Sequence, residues 1–257
     1  MSRWNPFPFV GQYDFDAQRV KTAWPQLHLC DLEPLPQSTP LLQAWALFHS
    51  GEFQKACQAG LKLGLAGLNV ANKATCVYAT YLEDNEATRQ ALFLESAQRA
   101  EHHISQEPGN FNAYYLHAYA LGRYSQSISV AKALAQGLGN TIKTNLETVL
   151  KKQPKHVDAH IALGSFHAEV IDKVGSLIGA MAYGAHRETG LELLDQALKL
   201  HHAATAGMVE YARAMLMLDG EAMLAQANLL YQQATQTTPL DAHERLELEL
   251  ARTELAD

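Results

Sequence analysis

Large, small and apolar residues recur along this chain in one fixed order, large-x-x-large-small-x-x-apolar, and the order is found five times. Each copy is followed by a second stripe of residues at helical spacing, and three of these stripes lead into a proline. Proline has no backbone N–H to donate within a helix and so ends it. The pattern therefore predicts five successive helix pairs. The small residues of the five copies are Ala44, Ala79, Ala118, Gly164 and Ala212.

The small residue has a physical role in this pattern. It lies where the two helices of a pair approach most closely, so a larger side chain there would push them apart. The order of residues resembles the tetratricopeptide repeat, whose helix pairs stack into a superhelix. We therefore predict an all-α fold, a tetratricopeptide-type α-solenoid of about five helix pairs with elaborated turns inside the repeats.

The elaboration is greatest in the third and fourth repeats, where residues 125–139 and 170–186 are inserted between the first and second helix. Both insertions are rich in apolar residues. Val170, Val174 and Met181 follow helical spacing, which predicts that the first helix of the fourth repeat runs past its usual end. We expect the two insertions to pack on each other, because their apolar surfaces would otherwise meet water. Self-association through the insertions stays open.

Three regions are predicted along the chain. Residues 1–38 crowd aromatic side chains among prolines, which is too apolar for a solvated tail, and we expect an arm that packs on the repeats. A free segment that docks into a partner is the alternative. Residues 39–239 form the repeat array. Residues 240–257 form a capping helix with Leu246 and Leu250 on one face.

Charge and hydropathy exclude several classes of partner. The net charge is −7, and no run of Lys and Arg exceeds two residues, whereas nucleic-acid binding usually needs a basic surface. No apolar run is long enough to span a membrane, and no signal peptide is visible. Cys30, Cys57 and Cys76 lack metal or disulfide spacing and suit reduced thiols. We expect a cytoplasmic protein that has no membrane span and whose partner is not nucleic acid.

A narrower resemblance covers Tyr114 to Leu218. It is carried by short motifs at residues 120–124 (ALGRY), 151–154 (KKQP), 163–164 (LG), 182–185 (AYGA) and 197–200 (ALKL). They resemble the regulator of microtubule dynamics family, which has bacterial-type relatives, and are similar to the T-component proteins of TRAP transporters. The resemblance implies that a helical scaffold associates with proteins, without catalysis. Because no membrane anchor or lipoprotein signal is visible, it implies a cytoplasmic relative.

Catalytic and metal-binding motifs are not predicted, although the chain has 12 histidines. His160 and His167 stand two helical turns apart, about 10 Å, too far to share one ion. They occupy positions that the repeat fills with packing aromatics, and His156 falls in the turn before them. There is no G-x-S-x-G nucleophile motif, and Gly137-Leu138-Gly139 lacks the strand that a phosphate loop follows. We expect no enzyme activity, no cofactor and no metal.

The groove of a tetratricopeptide array is lined by the second, fifth, ninth, twelfth and thirteenth positions of each first helix. Two tyrosines beside an arginine resemble binding hot spots in residue type. Core tyrosines and an internal Arg123–Glu169 ion pair are the alternative. The groove shows no Lys/Asn pattern of the kind that clamps a C-terminal carboxylate, which disfavours a receptor for chaperone tails. The residues predicted to bind a partner are Asn112, Tyr115, Tyr119, Arg123, Asp158, Glu169 and Arg213.

These observations favour a non-catalytic scaffold that binds a peptide or protein segment in its groove. The alternative is a small-ligand-binding or transporter-accessory protein, with an apolar pocket walled by residues 125–139 and 170–186. The sequence does not name the partner.

Overall fold

The computed structural model describes residues 3–256, which contain fourteen α-helices and no strand. The predicted all-α fold is confirmed. The helices are α1 (Ala17–Leu27), α2 (Thr39–His49), α3 (Phe53–Lys62), α4 (Leu68–Tyr81), α5 (Glu86–Gln106), α6 (Phe111–Gln126), α7 (Val130–Ala135), α8 (Leu138–Lys152), α9 (Val157–Val174), α10 (Ser176–Tyr183), α11 (Arg187–Leu200), α12 (Thr205–Asp219), α13 (Leu224–Thr235) and α14 (Ala242–Ala256). Single 3₁₀ turns, Gly64–Gly67 and Gly220–Met223, precede α4 and α13.

In chain order, the five predicted helix pairs correspond to α2–α3, α4–α5, α6–α8, α9–α11 and α12–α13. The two helices pack on each other in α2–α3, α4–α5, α9–α11 and α12–α13. The chain divides into two compact units. The first contains residues 1–145 and 240–243, and the second contains residues 146–239 and 244–257. Among residues 3–256, no helix is long and apolar enough to cross a membrane.

In the first unit each helix packs on the next one, from α1 to α6. The 3₁₀ turn Gly64–Gly67 connects α3 to α4. Helix α4 also contacts α2 and α6, so the first helices of three pairs lie side by side. The small residues of these pairs, Ala44, Ala79 and Ala118, are fully buried. Their burial fits the close helix approach that the repeat pattern requires.

The residues before α2 contact the repeats through aromatic rings. Trp4 stacks on Tyr78 with ring centroids 4.2 Å apart, and Trp24 meets Trp45 edge-on at 5.7 Å. The ring of Phe7 lies so close to Gly51 that a Cβ atom there would come within 2.6 Å of it, and Gly51 has a positive φ of +84°. These contacts bury apolar surface that the unfolded chain exposes.

The insertions lengthen helices or add short ones. The second repeat also has extra residues between its two helical stripes, and its second helix, α5, is 21 residues long. In the third, α6 reaches Gln126 and the short helix α7 follows. In the fourth, α9 runs on to Val174, as predicted, and ends at Gly175, whose φ of +79° suits glycine. Helix α10 then packs against α9.

In the second unit α9 packs on α11 and α12, and α12 packs on α13. The predicted contact of small residues is close at Gly164, where a Cβ atom would lie 2.6 Å from Leu194 Cγ and 2.9 Å from the carbonyl oxygen of Gly190. Met208, Ala212, Tyr231 and Ala251 belong to one buried apolar cluster, which joins α12, α13 and α14.

Candidate functional site

The candidate site lies in the first unit, on the surface formed by the neighbouring helices α2, α4 and α6, hereafter the first-helix surface. Residues 28–36, hereafter the acidic segment, lie against it. The carboxylate of Asp31 accepts a hydrogen bond from the Lys73 ammonium group on α4. The indole N–H of Trp24 donates to the carbonyl oxygen of Glu33 at 2.8 Å. The segment is therefore held through its backbone as well as its side chains.

The Glu33 carboxylate accepts hydrogen bonds from two amide side chains that belong to two different repeats. Asn69 Nδ2 on α4 donates to the two carboxylate oxygens at 3.1 and 2.9 Å. Asn112 Nδ2 on α6 donates to Oε2 at 2.6 Å. Asn69 Nδ2 also donates to Asn110 Oδ1, in the turn before α6, at 3.1 Å. Two consecutive first helices thus hold one carboxylate.

The pKa values of the two acidic side chains of this segment are shifted in opposite directions. Burial opposes the ionisation of Asp31, but His28 and Lys73 hold its pKa well below the usual value. Burial raises the pKa of Glu33 to about 7, and the negative charge of Asp31 adds to the effect. Glu33 as a residue is partly exposed, yet its carboxyl group lies between two amides that only partly offset the burial.

A chain of four buried side chains begins in the acidic segment. His28 Nδ1 lies 2.9 Å from Asp31 Oδ1, and His49 Nδ1 lies 2.5 Å from Asp241 Oδ2. The two Nε2 atoms are 3.2 Å apart, so one ring must donate and the other accept. This chain connects the segment after α1 to α2 and to residues 240–243. The two histidines are 3 % and 1 % exposed.

Four of the predicted binding residues lie on α6 in the first unit. Asn112 is buried and holds Glu33. Tyr115 is buried too, with its ring centroid 6.0 Å from that of Tyr119. The Tyr119 hydroxyl is 3.0 Å from the Thr80 hydroxyl on α4, and the Arg123 guanidinium lies 5.2 Å from the Tyr119 ring centroid. Tyr119 and Arg123 are partly exposed.

The other three predicted binding residues lie in the second unit. Asp158 is in the first turn of α9 and Glu169 is three turns further along it. Arg213 on α12 contacts Glu210 at 3.3 Å and Glu254 of α14 at 2.6 Å. All three are partly exposed. The division of the chain therefore separates the seven predicted residues into a group of four and a group of three.

The residues that hold the acidic segment were not all among those predicted from the sequence, since only Asn112 was. Asn69, Asn72 and Lys73 stand three and four residues apart in a helix that is otherwise mostly apolar, and this polar stripe was the available signal. Nothing local indicated what the stripe binds, because Lys73 and Asp31 are 42 residues apart in sequence.

The histidines considered as metal ligands make separate contacts. His156 Nδ1 accepts from the backbone N–H of Ala159 at 3.1 Å and so caps α9. His160 Nε2 lies 3.0 Å from the Pro154 carbonyl oxygen. His167 Nδ1 accepts from the backbone N–H of His186 at 2.9 Å. Within residues 3–256, no group of three or more His, Cys, Asp or Glu side chains is arranged to hold a metal ion.

Comparison with known proteins identifies the fold but no family. No protein-family model matches the chain, and no curated protein matches it. A solved structure that resembles it is the crystal structure of a thermophilic TPR protein from Thermus thermophilus, with a TM-score of 0.58 and 17 % sequence identity. The match covers 83 % of this chain and 97 % of that one. The chain has a fold similar to that of a tetratricopeptide-repeat protein.

Proposed function

We propose that this protein is a non-catalytic scaffold that binds a peptide or protein segment on its first-helix surface. One observation carries the proposal: α4 and α6 already hold a non-helical segment of the chain by its carboxylates, through Lys73, Asn69 and Asn112. A surface that recognises one segment in this way has the groups needed to recognise another, namely amides and a cation on adjacent helices.

The same surface continues along α6 beyond the acidic segment. From Asn112 to Arg123 the helix rises roughly 16 Å, which is the length of about five residues of extended peptide. Tyr119 and Arg123, at the far end, offer a rigid aromatic face and a planar donor fork. In the second unit, Asp158, Glu169 and Arg213 stay predicted binding residues, separate from this surface.

The fold supports this proposal, because arrays of helix pairs present broad surfaces to which partners bind. The resemblance of residues 114–218 to the regulator of microtubule dynamics family agrees with it, since that resemblance also implies association without catalysis. The partner is a protein, and its identity is open to direct measurement.

A double substitution on α6 tests the proposal. Tyr119→Ala combined with Arg123→Ala should abolish recovery of the protein's partners from lysate of its source cells, as measured by affinity purification and mass spectrometry. The matched control is Tyr114→Ala with Arg89→Ala, which removes the same side-chain types from another side of α6 and from α5. The control should recover the partners that the unmodified chain recovers.

Melting curves of both double variants show whether the fold is retained. If the Tyr119/Arg123 variant melts like the unmodified chain and still recovers every partner, the first-helix surface is not the binding site. The insertions at residues 125–139 and 170–186 would then be the surfaces to test.

A further inference from the structure

We infer that the acidic segment is an intramolecular competitor for the binding surface, and that the partner is an extended acidic peptide with two carboxylates two residues apart. The inference rests on the proposed function and specifies both the partner's chemistry and the regulation of its binding. Asp31 and Glu33 occupy the groups on α4 and α6 that such a partner would use.

The spacing of the holding groups matches an extended peptide. Asn69 and Lys73 are four residues apart on α4, and a helix rises about 6 Å over that distance. Alternate residues of an extended chain are about 6.6 Å apart and point the same way. An extended peptide lying antiparallel to α4 would therefore place its first carboxylate on Lys73 and its second on Asn69. Asn112 supplies the second amide to the latter, as it does to Glu33.

The acidic segment does not reach these groups in that conformation. Leu32, between the two acidic residues, has a φ of +51°, the one positive φ at a non-glycine residue within the described part of the chain. A leucine in the left-handed region is strained, because its Cβ approaches its own carbonyl oxygen. A separate peptide, which is not joined to α1 and α2, need not adopt this conformation.

The hydrogen bonds around the acidic segment are also incomplete. Asn69 Oδ1 is buried without a hydrogen-bond partner, and Asn69 is almost fully enclosed. A buried acceptor without a donor weakens the arrangement that contains it. A backbone N–H group of an extended peptide could donate to this oxygen. The raised pKa of Glu33, caused by burial and by Asp31, is a further sign that the intramolecular contact is imperfect.

Peptide binding to the full-length chain tests the inference. The probe is a fluorescein-labelled synthetic peptide with the sequence of residues 30–37 and serine in place of Cys30, followed by fluorescence anisotropy. An attached segment competes at an effective concentration near the millimolar range. The Asp31→Asn, Glu33→Gln double variant weakens that competition, so it should bind the probe at least about tenfold more tightly than the unmodified chain. A probe with both acidic residues changed to amides is the control and should not bind.

Hydrogen exchange on the unmodified chain supplies a second readout that does not depend on how any variant folds. Saturating acidic probe should speed amide exchange in residues 28–36, and the amide control probe should leave it unchanged. A Leu32→Gly variant, which relieves the strained backbone, should bind the probe more weakly than the unmodified chain.

Equal affinity of the double variant and the unmodified chain, or no change in exchange with saturating probe, would overturn the inference. Absence of binding to both proteins would overturn it too. None of these results would contradict the proposed function, which is tested separately by partner recovery with the Tyr119/Arg123 variant.

Discussion

Asn112 donates a hydrogen bond from Nδ2 to Oε2 of Glu33 at 2.6 Å and so joins points of the chain 79 residues apart. The first helix of the third repeat thereby holds a residue that precedes the repeats altogether. The same carboxylate is held by Asn69 of the second repeat. The acidic segment is therefore held by side chains that belong to the proposed binding surface.

Glu33 should make the stability of the folded chain depend on pH. Its pKa in the folded chain is raised to about 7 from an ordinary 4.5, mainly by burial. The folded state therefore holds a proton that the unfolded state has released between these values. This contribution to stability is fully present below pH 4.5 and is lost as the pH rises through 7. We expect the free energy of unfolding of Glu33→Gln, relative to the unmodified chain, to increase between about pH 5 and about pH 8.

Urea denaturation of the two proteins at several pH values measures this difference. Burial lowers the pKa values of His28 and His243 to about 4, so their contributions are lost as the pH falls from 6.5 through 4. These contributions are common to both proteins and cancel in the comparison. A difference in unfolding free energy that stays constant across the pH range would show that Glu33 does not titrate as described.

Asp241 should be essential to the stability of the first unit. It contacts His49 Nδ1 at 2.5 Å, and both side chains are almost fully enclosed. Asp241→Ala leaves the buried His49 ring without its hydrogen-bond partner, and an unsatisfied buried polar group costs about 1–3 kcal/mol. Lys55→Ala is the control, because the Lys55–Glu52 pair is exposed and contributes at most about 1 kcal/mol. Similar urea midpoints for the two variants would contradict the prediction.

Gly164 should not tolerate a larger side chain. The nearest atoms to a Cβ at this position, in Leu194 and Gly190, already lie at 2.6 and 2.9 Å. Gly164→Leu should therefore lower the melting temperature, with overpacking costing about 1–3 kcal/mol or more. Gly122→Leu on α6 is the matched control, since nothing lies within 4 Å of its Cβ position. It should melt at or above the temperature of the unmodified chain, because leucine favours helix over glycine.

The three cysteines should react unequally with iodoacetamide in the folded chain. Burial raises the pKa of Cys76 to about 11 and also raises that of Cys57, whereas Cys30 is partly exposed. Since the thiolate is the reactive form, we expect Cys30 to be alkylated first, as mass spectrometry of peptides would show. In guanidinium chloride all three should react alike. Prior modification of Cys76 in the folded chain would contradict this order.

The spacing of small residues was sufficient to predict the helix pairs, because that signal is local. Gly164 and Gly190 are the clearest example: the sequence placed them at the contact of α9 and α11, and the structure shows their backbones too close for a side chain between them. The spacing of apolar residues also predicts that α9 runs past its usual end, and it does so as far as Val174. Met181, which the same spacing includes, lies on the separate helix α10, because the chain turns at Gly175 with a positive φ. The seven residues predicted to bind a partner remain a prediction.

The acidic segment and its holding groups could not be predicted in this way. His49 meets Asp241 across 192 residues, and no periodicity along the chain relates two such distant positions. Whether a polar residue on a helix faces water, a partner or another part of its own chain depends on what packs against it. The sequence by itself determined the helix pairs and their close contacts, because helical spacing and side-chain size act within a few turns. Only the tertiary structure decided that Lys73, Asn69 and Asn112 meet Asp31 and Glu33, because burial and pairing of these groups arise when distant segments come together.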